Sequence, residues 1–100
     1  MASVRVLPNP VKEARNKAKH HLDFGRVVEV LSNPMLQQPD DRPLGYEQEG
    51  RVRVTGRIGM TAVRLIYEPV DLESGEIVVR PISLRRATRQ EAQEYWSIHG

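Results

Sequence analysis

Residues 51–55 read Arg-Val-Arg-Val-Thr, and this strict alternation is typical of a β-strand with one buried face. The two valines are expected to face the core and the two arginines to face outward. Strand-like segments follow at residues 63–67 and 76–82, with turns expected at residues 56–59 and 72–75. Three consecutive strands with short links predict an antiparallel meander.

Helical patterns lie on both sides of this predicted sheet. Asn9 and Pro10 suit an N-cap and a first helical position, so a first helix is expected over residues 11–20. Asp23 suits the N-cap of a second helix, in which apolar residues recur at helical spacing up to residue 31.

The C-terminal segment carries a third helical signal. Thr88 and Glu91 have the spacing of a capping box and predict a last helix. Residues 1–8 read as a loosely held lead-in, and residues 35–38 could add a fourth strand. The expected fold is therefore α+β: two N-terminal helices, an antiparallel sheet of three to four strands and a C-terminal helix.

Length and composition limit the function. One hundred residues, 39% of them hydrophobic, predict a single domain over residues 1–100 with one core and a shallow site. No run of about 18 apolar residues is present, so we expect no membrane span. Cysteine is absent, which excludes disulfides, zinc–thiolate sites and cysteine nucleophiles. We expect a cytoplasmic location.

Arginine dominates the basic residues, and its placement is informative. Net charge is only +2, yet twelve of the fifteen basic residues are arginine. The guanidinium group of arginine binds phosphate and carboxylate through two parallel hydrogen bonds. Four arginines lie within residues 80–89, beside Ser83, Thr88 and an expected helix N-terminus. Any one of them could simply pair with Glu91 or Glu94. For the cluster as a whole we favour anion binding.

Other polar residues each allow two interpretations. Outward-facing Arg51 and Arg53 either extend this basic surface or are ordinary solvent-facing charges. His20 is either a general acid or base, or a histidine favoured by the helix C-terminus. Glu49 is either a base held ionised by arginines or a solvated carboxylate. Tyr95 either stacks on a nucleobase or packs in the core. No third well-spaced ligand accompanies the adjacent histidines, so we expect no metal.

A longer pattern extends over most of the chain. It reads Asn16-x-x-Lys19-His20-x-Leu22-Asp23-Phe24, Glu49-x-Arg51, Gly59, Tyr67 and Arg80-x-Ile82-Ser83-x-Arg85-Arg86-Ala87-Thr88-x-x-Glu91-x-x-x-Tyr95. This pattern resembles the BrnT toxin family over about residues 9–96. The resemblance implies a RelE-like ribonuclease toxin of a type II toxin–antitoxin system, neutralised by a BrnA-like antitoxin that brings operator DNA binding.

Roles for individual residues follow as hypotheses from the arginine cluster and this resemblance. In the expected reaction, the RNA 2′-hydroxyl attacks the adjacent phosphate without metal or cofactor, while arginines stabilise the added charge and a Glu or His moves protons. The alternative is a non-catalytic module of the same fold that binds RNA or protein. The expected catalytic residues are His20, Glu49, Arg51, Arg80, Arg85 and Tyr95, and the expected substrate-binding residues are Lys19, Arg53, Ser83, Arg86 and Arg89.

Among the departures from the family pattern, two concern single positions. His21 stands where relatives usually carry glycine, which is expected to affect how the first two helices meet. Pro81 stands where an aliphatic residue is usual, and because proline has no N–H, its strand is expected to lie at an edge or to end there.

Overall fold

The fold consists of a five-stranded sheet and helices, and the α+β class is confirmed. A computed structural model describes residues 4–39, 51–70 and 77–99. The sheet order is β1-β5-β4-β3-β2, with β1 parallel to β5 and the other neighbours antiparallel. The elements are β1 (Val4–Val6), α1 (Pro10–His20), a 3₁₀ turn (Phe24–Arg26), α2 (Val27–Ser32), β2 (Leu36–Pro39), β3 (Val52–Ile58), β4 (Thr61–Val70), β5 (Ile77–Arg86) and α3 (Arg89–His99).

The sheet is larger than expected, and it is mixed. The prediction that residues 1–8 form only a lead-in was wrong, because Val4–Val6 pair in parallel with the start of β5. Three residues are too few for their alternation to stand out in sequence. The strand expected near residues 35–38 is present as β2, which pairs with β3. The antiparallel sheet of three to four strands is therefore corrected to a mixed sheet of five in the described residues.

The hairpin between β3 and β4 turns later than expected. Gly56 lies inside β3, not in a turn, and a Cβ there would sit 2.9 Å from Val30 Cγ1 on α2. Glycine at this position therefore allows α2 to pack directly on the strand. The turn itself is at Gly59, whose positive φ of 59° suits a residue without a Cβ. The turn expected at residues 72–75 lies outside the described residues.

One face of the sheet carries the hydrophobic core. Phe24 of the 3₁₀ turn and two valines of α2, Val27 and Val30, are buried against it. This arrangement follows from the alternation in the strands, which sends every second side chain toward α2. The sheet contributes Val54, Val63, Leu65, Tyr67, Val79 and Leu84 to the core. The opposite face is left available for polar side chains.

Helix α1 lies along the edge of β5 that continues beyond the end of β1. The buried Asn16 side chain substitutes for a neighbouring strand: its Nδ2 donates to Leu84 O at 2.8 Å, and its Oδ1 accepts from Leu84 N at 2.7 Å. Asn9 acts similarly, donating to Pro81 O at 3.1 Å. Asn9 is the N-cap residue of α1 and Pro10 begins the helix, as predicted, but the Asn9 amide bonds to β5 and caps no helical N–H.

The helix ends show which cap predictions hold. Asp23 accepts from Gly25 N at 2.7 Å, as an N-cap should, although the second helix begins with a 3₁₀ turn. The capping box of α3 is confirmed, since Thr88 N donates to Glu91 Oε1 at 2.8 Å and Glu91 N donates to Thr88 Oγ1 at 3.2 Å. No helix in the described ranges is long and apolar enough to cross a membrane.

Candidate active site

A β-bulge brings two separated arginines to one face of the sheet. Register between β4 and β5 shifts at Ile66, leaving Ile82 without a partner. Arg85 lies opposite Arg64, and Arg80 lies opposite Glu68. Residues 64 and 68 share one face of β4, so Arg80 and Arg85 also share a face. In a regular strand, five residues apart, they would project to opposite faces.

This face of the sheet, walled by α1 and the start of α3, forms a groove of about 610 Å³, called here the basic groove. Among the described residues, seven of the chain's fifteen Lys and Arg side chains line it, with a single carboxylate. A chain with a net charge of only +2 therefore brings nearly half of its Lys and Arg side chains to one surface. The groove is lined by Lys12, Arg15, Asn16, Lys19, His20, Arg51, Arg53, Arg64, Ile66, Ile82, Ser83, Arg85 and Glu91.

The carboxylate, Glu91, holds two of the arginines. It accepts from Arg85 Nη1 at 2.8 Å and Nη2 at 3.0 Å, and its Oε2 lies 2.9 Å from Arg64 Nη2. The Arg85 hydrogen bonds are the main cause that lowers the pKa of Glu91 from 4.5 to about 2. Burial opposes that shift, while Thr88 N–H and the charges of both arginines support it. Glu91 is therefore ionised throughout the physiological range.

Arg64 lines the basic groove, although it was not predicted from the sequence as a site residue. Its side chain is only 12% exposed. Burial is the largest cause lowering its pKa from 12.5, with Glu91 opposing and the neighbouring Arg53 and Arg85 adding to the shift. A signal was present in the sequence, since Arg64 alternates with apolar neighbours in its strand as Arg53 does. Lys12 and Arg15 were likewise not selected, although helical spacing from Lys19 places them toward one side of α1.

A second carboxylate lies between two other arginines that were predicted as site residues. Glu68 Oε1 is 3.5 Å from Arg51 Nε, and Glu68 Oε2 is 3.6 Å from Arg80 Nη1. Arg51 lines the basic groove, whereas Arg80 shares its face but is absent from its lining in the described part of the chain. These separations exceed those of the Glu91 contacts, so Glu68 holds its arginines less firmly.

His20 lines the groove at the C-terminal end of α1. Its pKa is lowered from 6.5, first by burial and then by the positive charges of Lys19 and Arg85 and by His21. The imidazole is therefore neutral at pH 7 and able to accept a proton. His21 lies outside the groove lining and adopts a left-handed φ of 59°, which explains why glycine suits this position.

Several predicted site residues lie elsewhere. Tyr95 is fully buried and its hydroxyl donates to Pro34 O at 2.6 Å, so its ring packs in the interior and is not available to stack on a base. Arg86 and Arg89 are exposed and outside the groove lining. Glu49 lies outside the described residues. Of the predicted set, the groove brings together Lys19, His20, Arg51, Arg53, Ser83 and Arg85.

Comparison with models of known protein families identifies the family of this chain. A family model described as "Ribonuclease toxin, BrnT, of type II toxin-antitoxin system" matches residues 9–91. The chain belongs to the BrnT family. Comparison with curated proteins gives no match. The matched range of this BrnT-family chain includes every residue that lines the basic groove.

Family membership gives the site its chemical context. BrnT proteins are ribonuclease toxins of type II toxin–antitoxin systems, which implies an RNA target and an antitoxin partner. Phosphate oxygens of RNA are the anions that arginine forks recognise. Among the residues that the structure describes, no three His, Cys, Asp or Glu side chains cluster as metal ligands would.

Proposed function

We propose that this chain is an endoribonuclease toxin that cleaves RNA in the basic groove without a metal ion and is neutralised by a BrnA-like antitoxin. One observation carries the proposal: His20, whose pKa is lowered chiefly by burial, lies in the same groove as seven Lys and Arg side chains of the described residues. We include in the proposal the RelE-like arrangement that the family resemblance implies.

The groove offers the charge stabilisation that the reaction needs. As the 2′-oxygen attacks phosphorus, negative charge develops on the non-bridging oxygens, and positioned donors at such a place contribute about 10²–10³-fold each. Arg64 and Arg85 are the donors best suited to this role, because both are partly buried and held in place. Arg51 and Arg53 lie farther along the same face and would hold flanking phosphates.

Proton transfer completes the proposed step. His20 takes the proton from the 2′-hydroxyl, the P–O5′ bond breaks, and the products are a 2′,3′-cyclic phosphate and a 5′-hydroxyl end. His20 is assigned the role of base, and not of acid, because its lowered pKa leaves it unprotonated near neutrality. The departing 5′-oxygen takes a proton from water, and Glu49 stays a prediction as the alternative base.

The test uses purified protein and a short RNA, with a matched RNA carrying 2′-deoxy at the cleaved position. We expect cleavage of the RNA alone, cyclic-phosphate ends and no inhibition by EDTA. Arg85→Ala should lower the rate by about 10²–10³-fold, whereas Arg5→Ala, an exposed arginine on β1, should not. His20→Gln should lose about 10²–10⁴-fold and remove the acid limb of the pH–rate profile.

Three outcomes would count against the proposal. Cleavage of the 2′-deoxy strand would exclude attack by the 2′-oxygen, and inhibition by EDTA would exclude a metal-independent reaction. Binding of RNA without any cleavage, together with absence of growth arrest on expression, would favour the non-catalytic binding module. Co-expression of a BrnA-like antitoxin should relieve growth arrest if the partner is as proposed.

A further inference from the structure

Glu91 connects the N-terminal turn of α3 to two arginines on different strands of the sheet. Arg64 belongs to β4 and Arg85 to β5, and the two residues lie directly opposite each other in the antiparallel register. Both guanidinium groups are within hydrogen-bonding distance of the same carboxylate, at 2.8–3.0 Å. Glu91 is thus the point at which helix, β4 and β5 meet at the groove.

We propose that Glu91 is a positioning residue for RNA cleavage, which holds the Arg64 and Arg85 guanidinium groups at the spacing that the reacting phosphate requires. The proposal depends on the ribonuclease function proposed above. Glu91 itself is an anion and repels RNA, so its contribution is made through the two arginines and not by contact with substrate.

Electrostatics and side-chain freedom give the physical reason. Two adjacent guanidinium groups repel each other, and each has a long side chain with many rotamers. A shared carboxylate offsets the repulsion and selects one rotamer for each arginine before RNA arrives. Arg85 gives both Nη groups to Glu91, which fixes the plane of its guanidinium. Each guanidinium has five N–H donors, so donors remain for a phosphate.

A purely structural interpretation of Glu91 is also available, because it is the acidic member of the α3 capping box. The two roles can be separated by substitution. In Glu91→Gln the side chain can still accept from Thr88 N, since glutamine serves in capping boxes, but it lacks the charge and the second acceptor oxygen that hold the arginines. Thr88→Val removes the hydroxyl that accepts from Glu91 N and leaves the carboxylate in place.

The experiment therefore compares Glu91→Gln with Thr88→Val, and uses Glu94→Gln as the control. Glu94 is an exposed residue on the same helix, and its substitution makes the same change in charge. We expect Glu91→Gln to lower kcat by about 10- to 100-fold, the range that misplacement of a reacting group produces. Its KM should be unchanged or lower, because a carboxylate that repels RNA has been neutralised. Thr88→Val should lower Tm by about 4–8 °C and retain kcat.

A readout independent of activity is the NMR spectrum of the arginine side chains. Arg64 and Arg85 should give resolved, slowly rotating guanidinium N–H signals in the wild type and in Glu94→Gln. In Glu91→Gln these signals should merge with those of mobile arginines. A wild type that does not cleave RNA would refute the ribonuclease function, and the NMR comparison would still decide whether Glu91 positions the arginines.

Two results would overturn the role of Glu91. One is a kcat of Glu91→Gln that matches the kcat of Glu94→Gln or falls no further than the kcat of Thr88→Val. The other is a set of guanidinium signals that does not change when Glu91 is replaced.

Discussion

Replacing Asn16 with alanine should destabilise the protein more than any single surface substitution on α1. The amide forms three hydrogen bonds, two to the backbone of Leu84 and one to Leu22 O at 3.1 Å. Asn16 is 5% exposed and Leu84 is fully buried, so water cannot replace these bonds. The variant would leave Leu84 N–H and C=O without partners on the open side of β5.

The magnitude follows from those two groups. An orphaned buried donor or acceptor costs about 1–3 kcal/mol, so the two groups together should cost Asn16→Ala about 2–6 kcal/mol of unfolding free energy. A domain of this size has about 5–15 kcal/mol in total, and each kcal/mol lowers Tm by about 4–8 °C. Asn9→Ala is the matched control, since it removes one bond of 3.1 Å from a half-buried amide and should cost about 1 kcal/mol.

Urea denaturation gives the free energies, and amide hydrogen exchange at Leu84 gives a local readout. We expect exchange at Leu84 to accelerate in Asn16→Ala beyond the acceleration expected from the global loss of stability. Equal losses in Asn16→Ala and Asn9→Ala, or unchanged protection at Leu84, would refute the view that this amide substitutes for a neighbouring strand.

Three further predictions concern other parts of the fold. His21→Gly relieves a left-handed conformation and should add about 0.5–1 kcal/mol in urea denaturation, whereas His21→Ala keeps a Cβ and should gain nothing. Glu91 has a pKa of about 2 when folded against 4.5 when unfolded, so its contribution is present above pH 4.5 and lost as pH falls toward 2. Denaturation at stepped pH should show a loss of about 1–3 kcal/mol, allowing for solvent screening, that is absent in Glu91→Gln. Tyr95→Phe loses the bond to Pro34 O and should cost about 1 kcal/mol of stability while RNA cleavage by the folded protein is unchanged.

Local patterns predicted the elements whose signals are contained within a few residues. Alternation at residues 51–55 identified β3 and the outward direction of Arg51 and Arg53. The spacing of Thr88 and Glu91 identified the start of α3. Each of these signals depends on backbone geometry and on the nearest side chains, which the sequence displays directly.

Features that depend on contacts between residues distant in the sequence were not predicted. Val4–Val6 form a strand only because β5 offers an unpaired edge beside them. Arg64 acquires its place in the site from its position opposite Arg85 and from Glu91 on the following helix. Tyr95 was expected among the catalytic residues, and the sequence left open whether it stacks on a base or packs in the core. Its environment is set by a carbonyl 61 positions away.

The bulge in β5 shows how a residue unsuited to a strand can shape the site. Pro81 is fully buried and lies opposite Tyr67, and its carbonyl accepts from Asn9 on the side away from β4. Its missing N–H therefore falls on the stretch of β5 where β1 has ended, which agrees with the expectation of a local edge.

The unpaired Ile82 directly follows Pro81 and reverses the alternation of side chains along β5. Side chains four residues apart in a regular strand share a face, so in a strand without the bulge residue 85 would lie on the core side together with the buried Pro81. The additional residue instead buries Pro81 and Leu84 together and leaves Arg85 on the groove face, so the position of Arg85 in the site depends on this bulge.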